Sequence, residues 1–241
     1  MRGYLGPVKR RSRTVIVAVV VAVAVLIAGA FVAVSAVQGD SSTKPRPTSP
    51  TSAEKSLFAG IQQHGIVLGS PNAPVTLVEF ADLQCPYCGE FARNALPQIV
   101  QDYVRSGRVK VVFQGLAFLG PQSQTALRAV LAAGGQNRAW DVLDGLYARE
   151  GAENSGWVTQ KLLREVGGAA PGLNVTRMLG QSDSPSVTRQ LRDAERSASQ
   201  AGVDGTPTFF VGRSGGPLQR VALTTLTTAA LRPALDAALQ G

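Results

Sequence analysis

Apolar and polar positions change rhythm along the chain, and each change marks an element. Thr14 to Val37 is an unbroken run of 24 uncharged residues, nearly all apolar. At 1.5 Å per helical residue it reaches roughly 36 Å, enough to cross a hydrocarbon core of about 30 Å with some tilt. It predicts a transmembrane anchor over residues 14–37. A cleaved signal peptide is the other reading, because Val34-Ser35-Ala36 offers small residues for a peptidase. The run is longer than the roughly 7–15 apolar residues of a signal core, which favours the anchor. Residues 38–56 have no apolar rhythm and are rich in Ser, Thr and Pro, as in Lys44-Pro45-Arg46-Pro47-Thr48-Ser49-Pro50. Such a stretch cannot bury a core and predicts a semi-extended linker.

From residue 57 the pattern is that of a folded domain. Residues 57–64 predict a short amphipathic lead-in ending at His64, and Ile66-Val67-Leu68 a short strand. Val75 to Phe80 predicts a central strand. Glu90 to Arg105 predicts a helix, with Phe91, Ala95, Ile99 and Tyr103 at helical spacing and Pro97 as a kink or break. Arg108 to Phe113 alternates polar and apolar, which predicts a strand. Residues 121–201 then read as helical, over Ser123–Ala133, Asn137–Glu150, Thr159–Val166 and Ser184–Ala201. The last has Ser184 as N-cap and Pro185 in the first turn. Phe209 to Val211, a turn at residues 212–217 and Leu218 to Leu223 predict a hairpin. Thr225 to Leu239 predicts a closing helix, with Pro233 marking a local kink.

The net charge of +8 suggests nucleic acid only until it is mapped. Residues 1–13 hold five basic groups and no acid, whereas residues 56–241 net only +2. The basic excess is a topology signal. It predicts a cytoplasmic basic tail over residues 1–13 and residue 38 onward outside the cytoplasm. No cysteine lies near the apolar run, which excludes a lipoprotein anchor.

Cys85 and Cys88 are the only cysteines in the chain. They lie three apart, after a strand and at the start of a helix, the setting of a dithiol redox site. The attacking species is a thiolate, and the free N–H groups and positive dipole end of a helix N-terminus stabilise an anion. Pro86 suits the first turn, where its missing N–H costs nothing. In this reading Cys85 is the exposed nucleophile and Cys88 the shielded resolving thiol. A zinc site needs about four ligands, and two cysteines with one histidine, His64, do not supply them. A structural disulfide closing so short a loop removes little chain entropy. Glu79 is the other unusual residue, an acid inside an apolar strand. Such an acid is expensive unless hydrogen-bonded or functional, or unless it points to a solvated face. Arg108 and Lys110 are possible neighbours of Glu79, with a solvated strand face as the simpler reading.

Gly205-Thr206-Pro207-Thr208-Phe209-Phe210-Val211 places a proline directly before an apolar strand. Together with Cys85-Pro86-Tyr87-Cys88, this segment resembles the DsbA-like family of thiol-disulfide oxidoreductases. The resemblance covers about residues 65–240. It includes Gly69 to Pro74 leading into Val75–Phe80, Trp140, and the Glu153 to Trp157 turn. It implies a thioredoxin fold over residues 57–241 with a helical subdomain inserted at about residues 121–201, and a cis bond at Pro207 beside the cysteines. It also implies that Glu79 is a buried acid relaying a proton to and from Cys88, that Thr206 and Pro207 bind substrate, and that Pro86 and Tyr87 tune the redox pair. Pro86-Tyr87 departs from the Pro-His of the strongly oxidising members.

The resulting expectation is an extracytoplasmic, membrane-anchored protein disulfide oxidoreductase acting on cysteine-containing secreted or membrane proteins, most simply as an oxidase. It needs no cofactor or metal, binds no nucleic acid and acts as a monomer. A quinone-coupled membrane oxidase is the recycling partner that the resemblance suggests. The alternatives are a reductase or isomerase, or a non-enzymatic peptide-binding module with idle cysteines.

Overall fold

A computed structural model describes residues 56–241. The anchor expected at 14–37, and all but the last residue of the expected linker, lie outside them. Among the described residues no helix is long and apolar enough to cross a membrane.

Among the described residues six strands form one sheet in the order β1-β2-β4-β3-β5-β6. They are β1 Gln63–His64, β2 Val67–Leu68, β3 Val75–Asp82, β4 Val109–Leu116, β5 Thr208–Arg213 and β6 Gln219–Val221. β3 runs parallel to β4 and antiparallel to β5. Its central place explains its composition: all eight residues are buried, so both faces of the strand are apolar apart from a few polar groups. Val75, Leu77 and Ala81 belong to the larger core on one face, and Val78 and Phe80 to a smaller core on the other.

The predicted helix at 90–105 is three pieces: α1 Pro86–Asn94, α2 Leu96–Ile99 and a π-helical turn at Val100–Val104. It begins four residues earlier than the periodicity suggests, since Pro86 occupies the first turn. The break falls at Ala95, with Pro97 already inside α2. Pro is favoured early in a helix, so it opens the second piece and does not kink the first. The helical insertion comprises α3 Pro121–Gly134, α4 Ala139–Tyr147, α5 Gln160–Ala169, α6 Val175–Gln181 and α7 Pro185–Gln200. Of these, α6 has no counterpart in the sequence reading. Only seven residues long, it shows too little periodicity to stand out, although Asn174 caps it by accepting from the Arg177 N–H at 2.9 Å. Ser184 caps α7 as predicted, its hydroxyl accepting from Val187 N–H. The expected lead-in at 57–64 contains a turn and then β1, whose His64 is exposed. The final helix, α8 Thr228–Gln240, starts three residues later than predicted and continues through Pro233, with Leu231 and Leu235 fully buried.

The insertion is fastened to the sheet edge through Trp140, whose Nε1–H donates to the Ile66 carbonyl at 3.1 Å. Its backbone N–H donates to Gln63 Oε1, also at 3.1 Å, and the Gln63 amide donates to Asp141 at 2.7 Å. Phe91 of α1 packs on Phe209 of β5, ring centroids 4.5 Å apart, which seats the helix on the larger face of the sheet.

Candidate active site

β3 ends at Asp82, and three residues later the chain enters α1 with Cys85 as its N-cap. Cys85 has extended backbone angles, and its N–H donates to the Asp82 carbonyl at 3.0 Å. The sequence-based placement of both cysteines at the first turn is therefore met.

Cys88 is shielded as expected, whereas Cys85 departs from the expectation of an exposed thiol. Cys85 is only 5% exposed, not an open nucleophile, and Cys88 is fully buried. Cys85 forms part of the lining of a groove of about 540 Å³. The walls are Pro86, Tyr87, Phe118, Leu119, Glu153 and residues 203–206. Tyr87 and Phe118 are the most exposed large apolar side chains among the described residues. Burial of Cys85 follows from its surroundings: the loop before β5 and the insertion both lean over it, which no local pattern announces.

Both cysteines are free thiols. The Cys88 thiol hydrogen-bonds the Cys85 sulfur and lowers its pKa most; burial opposes this, and the Thr206 side chain and the N–H groups of Cys88 and Tyr87 reinforce it. Cys85 is thereby brought down to about 6. The Cys85 thiol also donates to the Thr206 carbonyl at 3.3 Å. The Thr206–Pro207 bond is cis and lies against Cys85, as the resemblance implied. Cys88 goes the opposite way: burial, then its hydrogen bond to Cys85, hold it well above the ordinary thiol value.

Glu79 is 2% exposed, so the solvated-face reading fails. Its cross-strand partners are Phe113 on β4 and Phe209 on β5. One carboxyl oxygen, Oε1, has no hydrogen-bond partner. Burial first, then the charge of Cys85, push its pKa up to about 8, so the carboxyl is protonated at neutral pH. Glu79 in turn acts on Cys88 through its charge, which places the two groups within electrostatic reach of each other. Arg108 and Lys110 are engaged elsewhere, with the Asp102 and Pro71 carbonyls respectively, and neither neutralises Glu79. Among the described residues no three His, Cys, Asp or Glu side chains gather as a metal site.

Sequence reasoning assigned no role to Asp82, Gln84 or Tyr147. Asp82 is fully buried, and its carboxylate accepts from the Gln84 N–H at 2.9 Å and the Leu119 N–H at 3.0 Å. Tyr147, also buried, donates its hydroxyl to the Asp82 carbonyl at 3.2 Å. The Gln84 side chain reaches Ser123 and Asn154 in the insertion. The available signal was two polar residues flanking Leu83 immediately before the first cysteine.

The Thioredoxin family profile matches residues 62–216. Disulfide bond formation protein D of Bacillus subtilis (strain 168) is 28% identical over 147 residues, covering 60% of this chain and 66% of that protein. The oxidised structure of BdbD from Bacillus subtilis superposes with a TM-score of 0.64 at 24% identity, over 75% of this chain and 97% of that one. At that identity the likeness is one of fold. A thioredoxin-like oxidoreductase from Silicibacter pomeroyi DSS-3 superposes with a TM-score of 0.57 at 29% identity, over 78% and 98% of the two chains.

Proposed function

The chain belongs to the thioredoxin family and is a DsbA-like thiol-disulfide oxidoreductase, and on that premise we propose that Cys85 and Cys88 are its redox pair and that it oxidises cysteine pairs in extracytoplasmic proteins. The observation that carries this reading is the asymmetry of the two thiols: Cys85 at about 6 in a groove, Cys88 raised and buried behind it.

In the oxidising direction a client thiolate attacks Cys85 Sγ of the Cys85–Cys88 disulfide. The S–S bond breaks, its electron pair leaves on Cys88, and a mixed disulfide joins Cys85 to the client. Cys88 leaves as a poor thiolate and needs a proton, which neutral Glu79 supplies. A second client thiolate then attacks the client sulfur of the mixed disulfide and releases Cys85 as a thiolate, a good leaving group because of its low pKa. The client loses two electrons, and the enzyme is left reduced, with Cys85 a thiolate, Cys88 a thiol and Glu79 a carboxylate that regains its proton from solvent. Thr206 lines the groove, and Pro207 follows it directly, so that an extended client can pair with backbone there. Pro86 holds the turn, and Tyr87 shapes the groove rim without adding a cation.

A Cys85 pKa lowered to about 6 makes its thiolate the better leaving group of the pair. The basic tail and the 24-residue apolar run support a single-pass anchor with the catalytic domain outside the cytoplasm. Reoxidation then falls to a membrane-borne, quinone-coupled oxidase.

The test is alkylation of the reduced protein across pH 4–9. One thiol, Cys85, should react, with a midpoint near pH 6. Equal labelling of both thiols, or a midpoint near 8.5, counts against the assignment. A reporter fused after Gly241 should be active only outside the cytoplasm.

A further inference from the structure

Two walls of the groove come from the helical insertion and the segment that leads into it. Phe118 and Leu119, between β4 and α3, form one; Glu153, between α4 and α5, lies in the other. Neither segment is regular structure, and each has a single long-range hydrogen-bond anchor. For residues 117–119 it is the Leu119 N–H donating to Asp82 Oδ2 at 3.0 Å. For residues 152–155 it is the Gln84 carboxamide. Gln84 Oε1 accepts from the Asn154 N–H at 2.9 Å, and Gln84 Nε2 donates to Asn154 Oδ1 at 3.3 Å and to Ser123 Oγ at 3.0 Å.

The fit is close. Gln84 is 1% exposed and Ser123 fully buried, so these bonds form in a dry setting where an unmade one is costly. Asn154 takes a left-handed backbone, φ 55, and its side chain lies over Gly120. A Cβ at Gly120 would stand 2.8 Å from Asn154 Oδ1, and Gly120 itself has φ 121. The loop is thus built around the amide it receives from Gln84.

Resting on the redox reading above, we propose that Gln84 is a positioning residue that holds the Glu153 wall of the client groove, with Asp82 doing the same for the Phe118–Leu119 wall. Both belong to the three residues that deliver Cys85 to the helix. The sulfur and the two walls therefore hang from one short segment and keep a fixed relation to each other. A client peptide that fills the groove depends on that relation. A small thiol that needs only the sulfur does not.

The experiment compares two reductants of the oxidised full-length protein: a cysteine-containing peptide and glutathione. Gln84→Ala should raise KM for the peptide about tenfold with kcat within twofold. The glutathione rate should stay within twofold, and the alkylation midpoint of Cys85 should not move. Asn154→Gly keeps the left-handed backbone and the N–H bond to Gln84, so it should give a smaller rise of the same kind. The double variant should match Gln84→Ala alone, and Asp82→Asn, which retains one carbonyl acceptor, should move peptide KM in the same direction. Parallel losses with peptide and glutathione, a shifted Cys85 midpoint, or an unchanged peptide KM in Gln84→Ala overturn the proposal. Should Gln84→Ala not fold, Asn154→Gly decides by the same criteria. A wild-type protein inert toward both reductants removes the redox reading itself, and the proposal with it.

Discussion

The two sides of the first turn of α1 differ in what surrounds them. On the groove side, Cys85 meets the Cys88 thiol first, then Thr206 and N–H groups of the turn, and its pKa falls to about 6. On the inner side, Cys88 and Glu79 are both buried. Cys88 is held above its ordinary value and Glu79 rises to about 8. Both sulfurs belong to the same helix N-terminus, so the dipole alone does not separate them. Donors at one sulfur and desolvation at the other do. Hydrogen bonding also divides the two buried acids of β3. Asp82 is as buried as Glu79, yet its carboxyl accepts two backbone N–H groups, while Glu79 keeps an unpartnered oxygen.

The comparison is broken most completely by deleting one sulfur at a time. Cys85→Ser should abolish exchange with clients. Cys88→Ser should retain attack by Cys85 and accumulate mixed disulfides, visible as adducts that dithiothreitol dissolves. Equal phenotypes for the two variants would erase the distinction between the two sides.

The next largest effect falls on stability. Asp82→Ala leaves the Gln84 and Leu119 N–H groups without their acceptor. The expected cost is about 3 kcal/mol, since each bond to a charged group contributes roughly 1.5–3 kcal/mol and local rearrangement recovers part. Denaturant midpoints measure it, and a loss under about 1 kcal/mol would show that water replaces the carboxylate.

Glu79→Gln should act in the other direction, and only at the right pH. The folded carboxyl titrates near 8 and the unfolded one near 4.5, so the folded state binds the extra proton between those values. Stability of the wild type therefore falls as pH rises from about 4.5 to 8. The variant lacks that loss but buries an amide without a full set of partners. It should be more stable than wild type by about 1–2 kcal/mol at pH 7, with the difference gone near pH 5. Client oxidation should slow at the step that protonates Cys88. A pH-independent stability difference would place Glu79 in a wetter site.

The smallest effect isolates Cys85. In the Glu79→Gln background, the reduced protein should gain stability relative to the oxidised protein as pH rises from 6 toward 9. The folded thiolate forms near 6 and the unfolded one near 9, so the folded state has lost a proton that the unfolded state still holds. By pH 7 the gain should be about 1 kcal/mol, after allowing for solvent in the groove. No trend across that window would mean that the donors around Cys85 do not hold a thiolate.

Much of this protein is legible along the chain because it is local. The i, i+3 cysteines with Pro86 between them, the cap at Ser184-Pro185, the strand rhythm of Val75 to Phe80 and the proline before Phe209 are statements about neighbours in sequence. They suffice for the family, the order of the main elements and the place of the two cysteines at the start of α1. Residue identity at 79 marks an acid in an apolar strand, but not which face it takes. That depended on Phe113 and Phe209, 34 and 130 positions away, pairing with it across the sheet. The burial of Cys85, the break at Ala95, and the reach of Asp82 and Gln84 into the insertion were likewise decided by the tertiary structure. Burial and hydrogen-bond donation are properties of what packs around a residue, and here the packing partners come from distant parts of the chain.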